Sequence, residues 1–262
     1  MKRNRVAIVG CGWVGKATNK LFTDAVLYDT APGMPADREA VNGCDVAFVC
    51  VPTPAKPDGG CDTAAVEEVV SWLRTPIIVL RSTVPPGTTE ALARRHNKRI
   101  VFQPEYLGET PAHPLADIRT RDFFVLGGQQ EDTAAVAAIY SRVCHSSVRF
   151  YFTDSRTAEL AKYMENCFFA VKVLFCSEFS RIAEAMGVTY AQLREIWLAD
   201  PRISRDHTFA YENEPGFGGR CLPKDIAAII ECAKQHGGSP QLLEAVVRIN
   251  KEYRATAAVQ KG

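Results

Sequence analysis

The sequence predicts an α/β protein in which a parallel-sheet domain, residues 1–153, is followed by an all-helical domain, residues 154–262. Two observations predict this class. In the first half, short apolar runs alternate with amphipathic stretches, a pattern typical of strands and crossover helices in a sheet covered on both faces. After about residue 153 the strand-like runs stop, and stretches with helical periodicity fill the remainder.

The strands of the first domain are predicted from short apolar runs. They are RVAIVG (5–10), AVLYD (25–29), DVAFVCV (45–51), PIIVLRS (76–82), RIVFQ (99–103), DFFVLGG (122–128) and SVRFYF (147–152). Between several of them, amphipathic stretches predict helices, such as TAAVEEVVSWLR (63–74) and GTTEALARRHN (87–97). This alternation predicts a mostly parallel sheet.

The second domain is predicted to be helical throughout. The stretch 155–187 contains no proline and no internal glycine, and we expect it to form one long helix. Three further helical stretches follow it: TYAQLREIWLA (189–199), LPKDIAAIIECAKQHG (222–237) and PQLLEAVVRINKEYRATAAV (240–259).

The composition limits the possible partners. The 262 residues carry a formal net charge of +1, which gives no electrostatic footprint for nucleic acid or for a membrane surface. The apolar run CFFAVKVLFC (167–176) contains Lys172 and is too short to span a bilayer, so we expect a soluble, cytoplasmic protein. The nine cysteines form no C-x-x-C pair and the five histidines lack zinc-ligand spacing, so we expect reduced, mostly buried thiols and no metal.

A glycine motif follows the first predicted strand. Gly10, Gly12 and Gly15 fit G-x-G-x-x-G, open a predicted helix, and are followed by Asp29 at the end of the next strand. The glycines permit a tight turn and close backbone approach, the helix N-terminus favours a pyrophosphate, and the aspartate accepts hydrogen bonds from ribose hydroxyls. An ordinary tight turn is the alternative. The strand, helix and acid in register favour a Rossmann-type domain that binds NAD.

Further motifs occur in a fixed order along the chain. They are VAFVCVPTP (46–54), RSTVPPGTT (81–89), QPEYLGE (103–109), KYMENCFFAVKVLFCSEF (162–179), DPRI (200–203) and GFGGRCLPKD (216–225). In these six motifs and their order, the chain resembles the UDP-glucose/GDP-mannose dehydrogenases from its first strand almost to its last residue. The resemblance implies NAD-dependent oxidation of a primary alcohol to a carboxylic acid in two hydride transfers, with a cysteine as nucleophile.

Cys221 matches that nucleophile. An aldehyde cannot lose hydride directly to give an acid, but a thiolate adds to it to give a thiohemiacetal, whose oxidation gives a thioester that water cleaves. The helix predicted to start near Leu222, with Arg220 and Lys224 adjacent, favours a thiolate at this position. Without this context, Cys221 is one more small apolar residue.

The resemblance implies roles for other polar residues. Lys162 and Asn166, at i and i+4 of one helix, match a lysine and an asparagine that converge on a developing oxyanion. Asp225, with Thr83, matches the group that positions or activates water. For Lys162 the alternative is a solvated surface lysine, and for Asp225 it is an acid that only favours the helix dipole.

Two glutamates complete the implied machinery. Glu105 matches an acid/base for thioester hydrolysis, and Glu109 matches a second glutamate near the substrate, with a plain loop residue as the alternative. The predicted cofactor contacts are Gly10, Gly12, Trp13, Val14, Gly15, Asp29, Val51, Pro52, Thr53, Ser82 and Thr83. The predicted substrate contacts are Glu105, Tyr106, Leu107, Glu109, Lys162, Asn166, Phe217, Gly218, Gly219 and Arg220.

Two departures from the family pattern concern the substrate. The chain ends at Gly262, where family members continue into a third domain that holds much of the nucleotide, so we expect either a fragment or a short enzyme. The loop around Gly108, Thr110 and Pro111 diverges, and Glu212 and Glu214 add negative charge where an anionic nucleotide would lie. We therefore expect a small-molecule alcohol such as a nucleotide sugar, a nucleoside, a nucleotide or a simpler sugar derivative.

Three functions remain open at this point. The first is a four-electron alcohol dehydrogenase that works through a Cys221 thioester. The second is a two-electron β-hydroxyacid-type dehydrogenase in which Lys162 and Asn166 suffice. The third is a non-catalytic NAD-binding subunit that needs a partner. The resemblance also implies a homodimer formed through the helical domain.

Overall fold

The computed structural model describes residues 4–108, 117–211 and 213–259. The chain divides into two compact units. The first comprises Met1–Pro54 and Cys61–Lys162, and the second comprises Ala55–Gly60 and Tyr163–Gly262. The sequence-based boundary between residues 153 and 154 stays a prediction.

Within the described residues, the first unit contains a seven-stranded sheet with the order β2-β1-β3-β4-β5-β6-β7. The strands are β1 Val6–Val9, β2 Val26–Tyr28, β3 Val46–Val49, β4 Ile77–Leu80, β5 Ile100–Phe102, β6 Phe123–Gly127 and β7 Arg149–Thr153. Neighbouring strands pair in parallel except β5 with β6, which pair antiparallel. Each predicted strand is confirmed: six lie inside the predicted bounds, and β7 starts later and ends one residue beyond them. The mostly parallel sheet is confirmed as well.

Helices join these strands and cover the sheet. They are α1 Trp13–Leu21, α2 Arg38–Asn42, α3 Ala64–Trp72, α4 Thr88–His96 and α5 Gln130–Tyr140, with a 3-10 turn at Ile118–Thr120. The sequence patterns did not single out α2 and α5. A parallel pair such as β6 and β7 requires a crossover connection, and α5 supplies it.

The core of the first unit lies on both faces of the sheet. Successive strand residues alternate between two apolar clusters, with Ala7 and Ala47 in one and Ile8 and Phe48 in the other. Because both faces are covered, the strands read as continuous apolar runs. Strands β1–β5 run in one direction, so their carboxyl ends share one edge of the sheet, where polar residues become available to a ligand.

The second unit is helical. Helix α6, Ser155–Ala185, begins in the first unit and continues into the second, and α7 Tyr190–Trp197, α8 Leu222–Gln235 and α9 Gln241–Val259 follow. The predicted long helix is confirmed. A small core that includes Leu174, Phe217, Ile226 and Val246 holds α6, α8 and α9 together. In the part of the chain that the structure describes, no helix has the length and apolar character needed to cross a membrane.

Candidate functional site

The glycine turn after β1 is shaped by close backbone packing. Gly10 has a φ of +91°, and a Cβ there would lie 2.7 Å from the carbonyl carbon of Cys50. A Cβ on Gly15 would overlap the carbonyl oxygen of Gly10. By contrast, a Cβ on Gly12 would have no heavy atom within 4 Å. The first and third glycines thus let helix and strand meet, while the second leaves open space beside the helix N-terminus.

Asp29 holds this turn from the end of β2. Its Oδ2 accepts a hydrogen bond of 2.6 Å from the backbone N–H of Cys11, and its Oδ1 accepts one of 2.9 Å from Ala31. These bonds, above all that from Cys11, lower the pKa of Asp29, so the carboxylate is ionised at neutral pH. Each carboxylate oxygen has a second lone pair that can accept a ribose hydroxyl. The residues present therefore fit a dinucleotide with an unphosphorylated ribose.

Helix α1 begins at Trp13 and Val14, directly after the turn. Its N-terminal N–H groups favour a phosphate, because they carry the positive end of the helix dipole. The indole of Trp13 is 47% exposed, and its Nε1–H donates a 3.1 Å hydrogen bond to the carbonyl of Gly108. Trp13 thus ties α1 to the loop that follows β5.

The carboxyl ends of β3 and β4 are linked through predicted cofactor residues. Thr53 Oγ1 donates a 2.8 Å hydrogen bond to the carbonyl of Thr83, and Ser82 Oγ donates one of 2.6 Å to the carbonyl of Val51. Pro52 lies between them and is exposed. These residues occupy the edge of the sheet where ligands of parallel α/β proteins bind.

Glu105 lies in a buried cluster of charges. Its Oε1 accepts 2.7 Å hydrogen bonds from the backbone N–H groups of Tyr106 and Leu107. The carboxylate also pairs with Arg81, and Arg121 Nη2 lies 3.7 Å from Oε1. These partners hold the carboxylate and the backbone after it in one arrangement. The acid/base role of Glu105 stays a prediction.

Sequence reasoning did not identify Arg81 and Arg121. Arg81 follows β4 directly, is 2% exposed, and also donates to Thr18 Oγ1 on α1. The sequence carried one signal for Arg81: it is a charged residue directly after an apolar strand. An arginine buried at such a position requires anionic or polar partners, so a buried charged pair could have been predicted there.

Lys162 is buried, with 9% of its surface exposed, so it is not a solvated surface lysine. Its Nζ lies 4.9 Å from the centroid of the Tyr106 ring, within the range of a cation–π interaction. The first unit thereby brings the predicted residues Glu105, Tyr106 and Lys162 together.

In the second unit, Cys221 is the N-cap residue of α8 and is partly buried. Asp225, in the first turn of α8, is 1% exposed and donates its backbone N–H to the carbonyl of Cys221. Its Oδ2 accepts a 2.6 Å hydrogen bond from Asn166 Nδ2, and its Oδ1 forms a 2.5 Å ion pair with Lys224 Nζ. The second unit thus groups Cys221, Asp225 and Asn166 around the start of α8, and the buried carboxylate is paired on both oxygens.

The glycine-rich stretch before Cys221 packs on α9. Asn250 Oδ1 accepts a 2.8 Å hydrogen bond from Phe217 N–H, and Asn250 Nδ2 donates one of 3.0 Å to the Phe217 carbonyl. A Cβ on Gly216 would overlap Asn250 Oδ1, and one on Gly218 would lie 2.9 Å from Arg254 Nη1. Gly216 is therefore required by its positive φ and by the buried Asn250 side chain, whereas the exposed Arg254 side chain can turn away from a substituent at position 218.

Asn250 and Arg254, the residues of α9 that contact this stretch, were not predicted from the sequence. An asparagine on the buried side of an otherwise amphipathic helix was the signal, because such a group requires a hydrogen-bond partner. Gly219 and Arg220, which complete the predicted substrate contacts here, are exposed. Glu214 is also exposed, whereas Glu109, Thr110, Pro111 and Glu212 lie outside the described residues.

Several of the cysteine thiols have a pKa raised by burial. All nine cysteines are reduced. Burial raises the pKa of Cys50 and Cys144 to about 11 and that of Cys167 to about 12, so these thiols stay protonated at neutral pH. They behave as small apolar groups, as expected from the sequence.

Two family models match this chain in order. Residues 34–144 match the NAD binding domain of the UDP-glucose/GDP-mannose dehydrogenase family, and residues 156–252 match the central domain of the same family.

Curated relatives include two named UDP-glucose 6-dehydrogenases. The protein from Rickettsia bellii (strain RML369-C) is 31% identical over 245 residues, which is 89% of this chain and 55% of the relative. The protein from Pseudomonas aeruginosa PAO1 is 32% identical over 233 residues, which is 82% of this chain and 50% of the relative. The chain spans about half the length of the curated relatives it matches.

Solved structures show the same fold. The UDP-glucose dehydrogenase of Pyrobaculum islandicum aligns with a TM-score of 0.83 at 28% identity, over 96% of this chain and 68% of that one. The UDP-D-ManNAc dehydrogenase of Pyrococcus horikoshii aligns with a TM-score of 0.82 at 25% identity, over 97% and 70%. The 3-hydroxyisobutyrate dehydrogenase of Mycobacterium tuberculosis, at 16% identity and a TM-score of 0.72, shares the fold alone.

Proposed function

Because the chain belongs to the UDP-glucose/GDP-mannose dehydrogenase family, we propose that it oxidises a primary alcohol to a carboxylate through a thioester on Cys221. The family match confirms the predicted resemblance, the α/β fold class and NAD as the cofactor of the first unit. The observation that carries the proposal is the position of Cys221 at the N-terminus of α8, one turn from the buried Asp225–Asn166 pair.

The cofactor site has a defined set of residues. The turn at Gly10, Gly12 and Gly15, the start of α1 and Asp29 would hold the dinucleotide, since they offer open space, N–H donors and a ribose acceptor. NAD bound there supplies the hydride acceptor for both oxidation steps.

The proposed chemistry on the alcohol uses the roles that the family resemblance implies for this chain's residues. In the first step the CH2OH carbon loses a hydride and the hydroxyl loses its proton, with Lys162 and Asn166 donating to the developing oxyanion. The Cys221 thiolate then forms a C–S bond to the aldehyde carbon, and loss of a second hydride gives a thioester. Water, positioned by Asp225 and Thr83, attacks the thioester carbon and releases the thiolate. One alcohol and one water thereby give one carboxylate, two hydrides and three protons.

The substrate is proposed at the level of a class. The solved relatives are named for UDP-glucose and UDP-D-ManNAc, so a nucleotide sugar is one member of that class. A nucleoside, a nucleotide or a simpler sugar derivative with a free CH2OH group are the others. A panel of these compounds, tested for NADH release, identifies the substrate.

The thioester is tested with Cys221→Ser. We expect the wild-type protein to release two NADH for each acid formed, and the variant to lose acid formation by roughly a thousandfold or more, because a hydroxyl is a far weaker nucleophile than a thiolate. The measurement is the ratio of NADH to acid, with free aldehyde assayed in parallel. Cys232→Ser, a change in the same helix, is the matched control.

Three results would contradict this proposal. Near-normal acid formation by Cys221→Ser would show that the thiol is not required. One NADH per turnover in the wild-type protein, with a carbonyl product accumulating, would indicate a two-electron dehydrogenase. NAD binding without turnover of any alcohol until a second protein is added would indicate a non-catalytic subunit.

A further inference from the structure

We propose that Tyr106 is a positioning residue that seats the ammonium group of Lys162 on the face of its ring. The role assigned to Lys162 rests on the proposed function, but the seat itself is a property of the first unit alone. Lys162 Nζ lies 4.9 Å from the ring centroid, and Lys162 is 9% exposed. The negative face of the ring attracts the ammonium group at this distance. Because Lys162 is buried, the attraction is less weakened by water than it would be at an exposed site.

The ring is held from its own backbone. The N–H of Tyr106 donates a 2.7 Å hydrogen bond to Glu105 Oε1, and the N–H of Leu107 donates a second of the same length to the same oxygen. Because both bonds end on one buried carboxylate oxygen, the backbone that carries the ring has little freedom to rotate.

Neighbouring side chains hold the ring from the side. The Phe123 ring lies 5.4 Å from that of Tyr106, centroid to centroid, at an interplanar angle of 46°. The guanidinium of Arg121 lies 5.5 Å from the Tyr106 centroid and 5.6 Å from that of Phe123. Tyr106 therefore has two cations near its ring, Lys162 and Arg121, and the carboxylate of Glu105 partly offsets the charge of Arg121.

The seat is anchored to the helix that begins at the glycine turn. Arg81, which is 2% exposed, pairs with Glu105 and also donates to Thr18 Oγ1 on α1. One buried guanidinium thus joins α1 to the carboxylate that fixes Tyr106. The position of Lys162 thus depends on Tyr106, that of Tyr106 on Glu105, and that of Glu105 on Arg81.

Only the ring face is needed for this role. Tyr106→Phe keeps the face and removes the hydroxyl, whereas Tyr106→Leu keeps apolar bulk and removes the face. The two substitutions therefore separate the seat from simple packing.

The direct test is NMR of protein in which every lysine carries ¹³C at Cε. A methylene above an aromatic ring experiences the ring current, so we expect an upfield-shifted Lys162 signal, which Lys162→Arg assigns by its loss. Tyr106→Leu should move that signal to the position of the other lysines, and Tyr106→Phe should retain the upfield shift. Phe152→Leu, which removes an exposed aromatic residue of β7, is the control that should leave the signal unchanged.

Turnover supplies the second readout. We expect Tyr106→Leu to lower kcat about ten- to a hundredfold with little change in KM for NAD, because a catalytic group is misplaced while the dinucleotide turn is intact. Tyr106→Phe should restore most of the lost turnover.

The outcomes separate this inference from the proposed function. If the wild-type protein oxidises no alcohol but the ring-current shift follows the pattern above, the proposed function fails and the seat stands. If Tyr106→Leu leaves the Lys162 signal in place, or Tyr106→Phe abolishes it, the seat is overturned whatever the activity. If Tyr106→Leu does not fold, a wild-type Lys162 signal without an upfield shift overturns the seat, and a shift retained in Tyr106→Phe supports it.

Discussion

Glu159 shows how one buried side chain links proton binding to the stability of the first unit. It lies on α6 with 0% of its surface exposed, and it reaches the N-terminus of α4. Its Oε2 accepts a 2.5 Å hydrogen bond from Gly87 N–H, and its Oε1 accepts bonds from the N–H and hydroxyl of Thr89, at 2.8 and 2.6 Å. Burial nevertheless outweighs these bonds and raises the pKa of Glu159 from 4.5 to about 7.

This raised pKa predicts a pH dependence of stability. The folded protein holds the Glu159 proton more tightly than the unfolded chain, so the contribution is fully present below pH 4.5 and is lost as the pH rises through about 7. We expect the free energy of unfolding of the wild-type protein to fall by up to about 3 kcal/mol relative to Glu159→Gln between pH 5 and pH 8. Urea unfolding at several pH values measures this difference.

Only the slope matters in that experiment, because a glutamine amide facing Gly87 N–H lowers stability by a similar amount at every pH. Glu131→Gln, which changes an exposed carboxylate on α5, should keep the wild-type slope. Parallel pH profiles for wild type and Glu159→Gln would contradict the assignment.

At the scale of elements, α9 organises the glycine-rich loop that leads to Cys221. Asn250 on α9 bonds both the N–H and the carbonyl of Phe217, and Ser177 on α6 accepts the N–H of Gly216. The loop is therefore held by two helices through its backbone. Its sequence, rich in glycine, is what allows these helices to approach it.

Loss of this support should affect both stability and chemistry. We expect Asn250→Ala to lower the free energy of unfolding by about 2 kcal/mol, because it leaves two buried backbone groups of Phe217 without their partner. We also expect faster alkylation of Cys221 by iodoacetamide, since the loop before it loosens, and unchanged NAD binding. Unfolding curves, alkylation rates and NAD titration measure the three effects.

Lys251→Ala, at the exposed next position of α9, is the matched control and should behave as wild type. If Asn250→Ala is as stable as the wild-type protein and its Cys221 is alkylated at the same rate, the hydrogen bonds from Asn250 to Phe217 do not hold the loop.

These examples show which features could be predicted from the sequence. The strands and the glycine turn were predictable because their signals are local: apolar runs for β1 and β3, and three glycines with an acid for the cofactor site. The Asn250–Phe217 pair and the Arg81–Glu105 pair join residues far apart in the chain, and no local pattern encodes their proximity. The close approach of Gly216 to Asn250 on α9 is likewise a contact between distant parts of the chain, visible only in the folded unit.

At the scale of the whole molecule, α6 presents an apolar stripe within the second unit. Its exposed members are Met164, Phe168, Phe175, Phe179, Ile182 and Met186, with exposed fractions of 75%, 59%, 46%, 40%, 41% and 73%. Spacings of three, four and seven residues place them on one face of the helix. An exposed apolar stripe of this kind is typical of an association surface. It supports the proposal that two copies pack these stripes against each other about a two-fold axis.

The assembly is tested by replacing the centre of the stripe. We expect the wild-type protein to have twice the 28.8 kDa mass of the chain in light scattering after size exclusion. Phe168→Glu combined with Phe175→Glu should give the single-chain mass, because two charges would be buried in a symmetric interface. Phe152→Glu, on β7, should leave the mass unchanged, and a single-chain mass for the wild-type protein would refute the dimer.

The six residues Ala55–Gly60 belong to the second unit although both of their neighbours along the chain belong to the first. A Cβ placed on Gly59 would lie 3.6 Å from the Cβ of Ala227, a residue of α8 synthesised far later. At about 5–20 residues per second, a ribosome needs roughly 10–30 s to reach α8 after releasing this segment. During synthesis this segment therefore leaves the ribosome well before the α8 residues that it packs against exist. No single cut in the chain can separate the two units into complete parts.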